Sequence, residues 1–230
     1  MNRNEYRARF ITSRAMMFRP GAWLGAVIFS LWAVAADAQP DMSVIDLIDP
    51  PQPVATTGNA IEVIDFFSYG CPHCANLDPL LAKWLQGQPA DVVFKQVPAT
   101  HKIKGIDSVA IYHTLEAMGQ LARLHGKLFA AANVDNLPLG VPKVLAEWLE
   151  SQGVKPGEYD EVQKTPAVQT KIQRSREMTD LYKVRGIPAM VIQGRYLAPQ
   201  RASPDKYLAN IDALIQAVRT RAPIEKPAVK

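Results

Sequence analysis

The residues with the most distinctive chemistry are Cys71-Pro72-His73-Cys74, and Cys71 and Cys74 are the only 2 cysteines of the chain. A C-x-x-C unit has four physical readings. A zinc or copper site needs further thiolates or suitably spaced imidazoles, and His101, His113 and His125 do not show ligand spacing. Attachment of a c-type haem needs histidine directly after the second cysteine, where Ala75 stands. A purely structural disulfide would close a loop too short to stabilise much. A redox-active dithiol fits the context best, with the unit following an apolar strand and opening a helix. Carriage of Cu(I) by the same two thiols stands as the non-enzymatic alternative.

The two sulfurs are predicted to differ. Cys71 sits at a helix N-terminus, where unpaired N–H groups and the helix dipole favour a thiolate. Cys74 lies one turn further in, among apolar neighbours, and is the shielded resolving thiol of a reversible Cys71–Cys74 disulfide. Pro72 suits the first helical position. A cationic His73 near the Cys71 sulfur would lower its pKa further. Stabilising that thiolate stabilises the reduced pair and makes the disulfide a stronger oxidant.

Two further features belong with this unit. Asp65 interrupts an apolar run six residues before Cys71, and buried carboxylates are rare without a partner. It is placed to accept the proton of Cys74, with Lys95 in the next strand as its expected partner. Far downstream, Gly186-Ile187-Pro188-Ala189 precedes a strand, and its X-Pro bond reads from sequence alone as an ordinary turn.

The elements that must position these residues follow from periodicity. Gln39–Asn59 reads as an edge strand, a proline-stiffened link and a turn. Ile61–Phe67 is a nearly continuous apolar run, suited to a strand buried on both faces. A helix opens at Cys71-Pro72 and carries the stripe Leu77, Leu80, Leu81, Trp84 and Leu85, with Pro79 expected to kink it. Asp91–Val97 is the second strand of that unit. From Ile106 to about Tyr182 the apolar residues recur at helical spacing, punctuated by glycines. Strands return at Ala189–Gln193 and Arg195–Leu197 around Gly194. Ser203-Pro204 then opens a last helix, with Ser203 expected as its cap. The order predicts an α/β fold with an inserted all-helical domain. Its boundaries are 39–104 and 184–222 for the α/β frame, 105–183 for the insertion and 223–230 for a polar tail.

The first 38 residues are set apart. Five arginines (Arg3, Arg7, Arg9, Arg14, Arg19) precede the apolar run Ala22–Ala36, which ends in Ala36-Asp37-Ala38. Basic, apolar and then A-x-A is the layout of a secretory signal peptide, with cleavage expected after Ala38. The apolar run falls short of the roughly 20 residues a spanning helix needs. A start at Met16 or Met17 would leave a more ordinary signal. The remaining 192 residues hold 21 bases and 20 acids, a balance that gives no electrostatic case for nucleic-acid binding.

The run Phe66-Phe67-Ser68-Tyr69-Gly70-Cys71-Pro72-His73-Cys74, together with Val184-Arg185-Gly186-Ile187-Pro188-Ala189-Met190 and Gly194-Arg195-Tyr196, resembles the DsbA family of periplasmic thiol:disulfide oxidoreductases. The resemblance covers the whole chain from residue 39 and implies a thioredoxin-like fold carrying the helical insertion. It implies that Cys71 is the exposed nucleophile and Cys74 the buried one. Pro188 would be a cis-proline packed against the active site, and Ile187 would offer its backbone to a substrate strand. Asp65 takes the place of the family's buried acid, usually glutamate. It further implies a monomer without cofactor or metal that donates its disulfide to unfolded exported polypeptides bearing free cysteines. A DsbB-like quinone-linked inner-membrane oxidase would reoxidise it. An isomerase would need a dimerisation domain ahead of the frame, for which Gln39–Asn59 is too short. A periplasmic reductase in cytochrome maturation would need a retained anchor and a reducing poise.

Overall fold

The computed structural model describes residues 39–222. The expected signal peptide with its cleavage point, and the polar tail at 223–230, lie outside the described residues.

Five strands form one mixed sheet: β1 (Asp46–Leu47), β2 (Ile61–Phe67), β3 (Val92–Pro98), β4 (Ala189–Ile192) and β5 (Tyr196–Pro199). They lie in the order β1-β5-β4-β2-β3. The central β2 is parallel to β3 and antiparallel to β4. All seven β2 residues are buried, as a run rich in β-branched and aromatic residues requires. Helix α1 (Pro72–Gln86) carries the chain from β2 to β3. It runs through Pro79 as one continuous element.

Five helices lie between β3 and β4: α2 (Ser108–Ala117), α3 (Leu121–Asn133), α4 (Pro142–Ser151), α5 (Glu158–Gln163) and α6 (Pro166–Leu181). The last helix is α7 (Pro204–Thr220). Ser203 stands at its N-cap but its side chain makes no capping hydrogen bond, which corrects the expected cap. Pro204 at the first helical position already fixes the entry geometry there.

The two-residue period of the strands sorts the core onto two faces. Ile61, Val63, Met190 and Ile192 face α1 and α7, where Leu77, Leu81, Ile211 and Leu214 meet them. Ile64, Phe66, Val191 and Leu197 face the other way, against Tyr182 and Val184 at the end of α6. A third core fills the helical block and reaches Phe67, Tyr69 and both cysteines. The dithiol thus lies where the sheet, α1 and the inserted helices meet.

Candidate active site

Cys71 is the N-cap of α1, with extended backbone (φ −86°, ψ 114°) and Pro72 directly after it. Its sulfur accepts the backbone N–H of Cys74 at 3.3 Å, the bond that a serine or aspartate oxygen makes in an ordinary cap. In this structure both cysteines are free thiols. The Cys71 thiol donates to the Ile187 carbonyl at 3.7 Å, and Ile187–Pro188 is a cis peptide. Two residues 116 apart in sequence thereby meet at one sulfur. Cys71 is only 2% exposed. The expectation of an exposed nucleophile is corrected: Cys71 is buried, and the carbonyl of Ile187, before Pro188, contacts its sulfur.

The two thiols are pushed in opposite directions. The pKa of Cys71 is lowered from 9.0 to about 6, first by the side-chain hydrogen bond from Cys74, then by the backbone N–H groups of Cys74 and His73 and by the His73 charge, against the opposing effect of burial. Burial pushes the Cys74 thiol far above the usual range, and the neighbouring Cys71 adds to it. The helix terminus and His73, expected from the sequence to set the acidity of Cys71, are both outranked by the partner thiol. His73 itself is exposed.

Asp65 lies on the face of β2 turned to α1 and α7, and is 2% exposed. Burial raises its pKa from 3.8 to about 7; the Gln96 side chain offsets this in part, and the charges of Asp78 and Cys71 add to it. Gln96 Nε2 reaches Asp65 Oδ2 at 3.5 Å, and among the described residues Asp65 Oδ1 has no hydrogen-bond partner. The charge of Asp65 in turn raises the pKa of Cys74.

Lys95 is not the partner of Asp65. In the β2–β3 register Asp65 stands opposite Gln96 and Ile64 opposite Lys95. Lys95 therefore projects on the other face of the sheet, where it meets Glu62 at 2.5 Å. Glu62, 2% exposed, is a buried acid that the sequence pattern does not single out. A signal is nevertheless there: Glu62 and Asp65 are three apart in a strand, so they point to opposite faces and cannot share one lysine.

A second set of residues joins the Tyr69-Gly70 loop to positions of the insertion that have no signature in the sequence. Tyr69, two before Cys71, is fully buried and tied to the inserted helices at three points. Its N–H donates to Ser108 Oγ at 2.8 Å, its carbonyl accepts from Asn133 Nδ2 at 2.8 Å, and its hydroxyl pairs with His125 Nδ1 at 3.0 Å. His125 Nε2 closes onto Asp78 of α1 at 3.1 Å. Next to it, a Cβ on Gly70 would collide with the Ile103 carbonyl oxygen, so only glycine fits. The inserted helices hold the loop that presents Cys71.

A strand–loop–helix unit with a dithiol at the helix N-terminus, faced by a cis-proline turn from a neighbouring strand, defines a thioredoxin-like redox protein. The comparisons with known proteins narrow this class. The family model for the DSBA-like thioredoxin domain matches residues 87–212. The thiol:disulfide interchange protein DsbA of Bordetella parapertussis is 34% identical over 189 residues, covering 82% of this chain and 89% of that protein. DsbA of Pseudomonas aeruginosa PAO1 is 31% identical over 201 residues, covering 86% and 93%. The crystal structure of Pseudomonas aeruginosa DsbA superposes with a TM-score of 0.69 at 29% identity, over 78% of this chain and 94% of that one. The structure of DsbA from Xylella fastidiosa gives 0.67, also at 29% identity, over 78% and 96%. The chain belongs to the DsbA family. It is a thiol:disulfide oxidoreductase with a thioredoxin-like fold and a helical insertion.

Proposed function

We propose that the protein works in the periplasm as the oxidant of newly exported polypeptides, with Cys71 as nucleophile and Cys74 as resolving thiol. A client thiolate attacks Cys71 of the Cys71–Cys74 disulfide, forming a mixed disulfide and expelling Cys74 as thiolate. Cys74 takes up a proton at once, because its buried site penalises the anion. Asp65, with a pKa near 7, is poised to deliver that proton and to take it back on reoxidation. A second client thiolate then attacks the client sulfur, and Cys71 departs as a thiolate. Two electrons pass from the client to the protein, which is left with a Cys71 thiolate and a Cys74 thiol. The client's thiol protons go to solvent, from which Asp65 is reprotonated, and a DsbB-like membrane oxidase returns the reduced pair to a disulfide.

The opposite shifts of the two thiols carry this reading. A leaving thiol of pKa about 6 departs readily from the mixed disulfide. His73 helps to set that acidity, Pro72 opens the helix behind Cys71, and Ile187 and Pro188 form the turn against which a client segment lies. The covered Cys71 sulfur fits the same picture, since an incoming client displaces the Ile187 carbonyl contact. We take 39–104 and 184–222 as the thioredoxin-like frame, 105–183 as the insertion, and the active species as a monomer.

The test is stoichiometric. Oxidised protein is mixed with a reduced, unfolded polypeptide bearing two cysteines, and thiols are counted in both. Transfer of one disulfide to the polypeptide is expected. Failure to oxidise it, together with reduction of insulin by the dithiol form at a thioredoxin-like potential, would replace this reading by that of a reductase.

A further inference from the structure

On the α6 side of the sheet, away from the face that carries α1 and α7, a groove of about 660 Å³ opens beside the Ile187–Pro188 turn. Its lining includes the apolar side chains of Leu47, 42% exposed, and Leu197. Three cations line it: Lys183, Arg185 and Arg201. Asp46 is the one acid in its lining, and it lies 3.9 Å from Arg201. Residues 39–230 as a whole are nearly balanced, with 21 bases and 20 acids, so this excess is local.

The near wall of the groove is Gly186, next to the residue whose carbonyl touches the Cys71 sulfur. Arg185 follows one step further, within about 7 Å of Ile187 by the reach of two residues of chain. Lys183 is held at the rim by a hydrogen bond from its Nζ to the Asp49 carbonyl at 3.2 Å. The groove therefore begins within a few residues of the turn that touches the Cys71 sulfur.

We propose that this groove selects among clients by charge: it takes an extended segment that carries aspartate or glutamate, with an apolar side chain against Leu47 and Leu197, a few residues from the reacting cysteine. This rests on the reading of the dithiol as a disulfide donor to polypeptides. Three cations against one committed acid give charge complementarity to an acidic stretch, and they repel a basic one. The attraction acts on encounter and on the mixed disulfide, so it appears in kcat/KM and weakens with salt.

The probes are two synthetic peptides, each with two cysteines and the same apolar residue, one flanked by aspartates and the other by lysines. Oxidation by the full chain is followed at low and high ionic strength. The acidic peptide is expected to have a kcat/KM about tenfold higher in low salt, falling below about threefold in 1 M salt. The combined charge reversal Lys183→Glu, Arg185→Glu and Arg201→Glu should invert the order. The milder pair Arg185→Gln and Arg201→Gln should cut the preference to about threefold, and it covers the case in which the reversal does not fold. Equal kcat/KM for the two peptides overturns the assignment and leaves the groove to a second copy of the chain or to a membrane partner. If neither peptide is oxidised, the donor reading itself fails and this inference falls with it.

Discussion

The Cys71 sulfur caps its own helix by accepting the N–H of Cys74 at 3.3 Å, and the Cys74 thiol is the largest single stabiliser of the Cys71 thiolate. One partner supplies both a backbone and a side-chain donor. In Cys74→Ala the backbone donor stays and the thiol donor goes. The Cys71 pKa should rise by about one unit yet stay below the ~8.5 of a free thiol. The variant should also accumulate mixed disulfides with clients, because nothing is left to expel them. Thiolate absorbance against pH and non-reducing electrophoresis read the two effects. An unchanged pKa would mean that the helix terminus and His73 set the acidity without the partner thiol.

Asp65 makes the native state proton-hungry. Its pKa is about 7 when folded against an ordinary 3.8, so between those values the folded chain binds more protons than the unfolded one. Stability must then fall as pH rises from about 4 through 7. Asp65→Asn removes this dependence. It should be more stable than the parent above pH 7, by on the order of 4 kcal/mol, and about equal near pH 4. The same variant should slow the steps in which Cys74 gains or loses its proton. Urea melts across that pH range, with turnover measured alongside, make the comparison; a variant less stable at pH 8 would contradict the desolvation argument.

The dithiol form should outlast the disulfide form in denaturant, the reverse of an ordinary structural disulfide. The Cys71 pKa is depressed on folding, so the stability it adds to the reduced protein is complete above the unfolded thiol pKa of about 9 and is lost as pH falls through about 6. At pH 7 this group contributes on the order of 1 kcal/mol. Paired guanidinium midpoints at pH 8 and pH 5 test it. The gap in favour of the reduced form should shrink at the lower pH; a constant gap would place its source elsewhere.

The inserted helices should matter to the site through the loop they hold. Ser108→Ala leaves the buried Tyr69 N–H without its acceptor and should cost about 1–3 kcal/mol in a denaturant melt. A loss below about 0.5 kcal/mol would show that the loop is held without this bond.

Much of this site is legible in the sequence because its decisive features are local. The buried strand, the proline at the first helical position and the two cysteines lie within Ile61–Cys74, and the structure places β2 and α1 where periodicity does. What stays hidden depends on register and on distance. Adjacent strands bring Lys95 and Asp65 near each other, which is why they read as partners, but the one-residue offset in the β2–β3 pairing turns Lys95 to the opposite face. The hold of Ser108, Asn133 and His125 on Tyr69 spans 39 to 64 residues of chain, and none of the three holding residues has a motif around it. The shielding of Cys71 likewise depends on Ile187, which no local pattern connects to the helix terminus.

The acidity of one sulfur decides whether the disulfide is oxidising. Thiolate absorbance of the reduced protein, titrated from pH 3 to pH 10 and compared with Cys71→Ser to assign the step, measures it directly. A midpoint at about 6 is the expected result. His73→Ala should raise it only slightly, since the His73 charge ranks last among the causes. A Cys71 midpoint at or above about 8, close to a free thiol, would contradict the account and remove the basis for an oxidising disulfide.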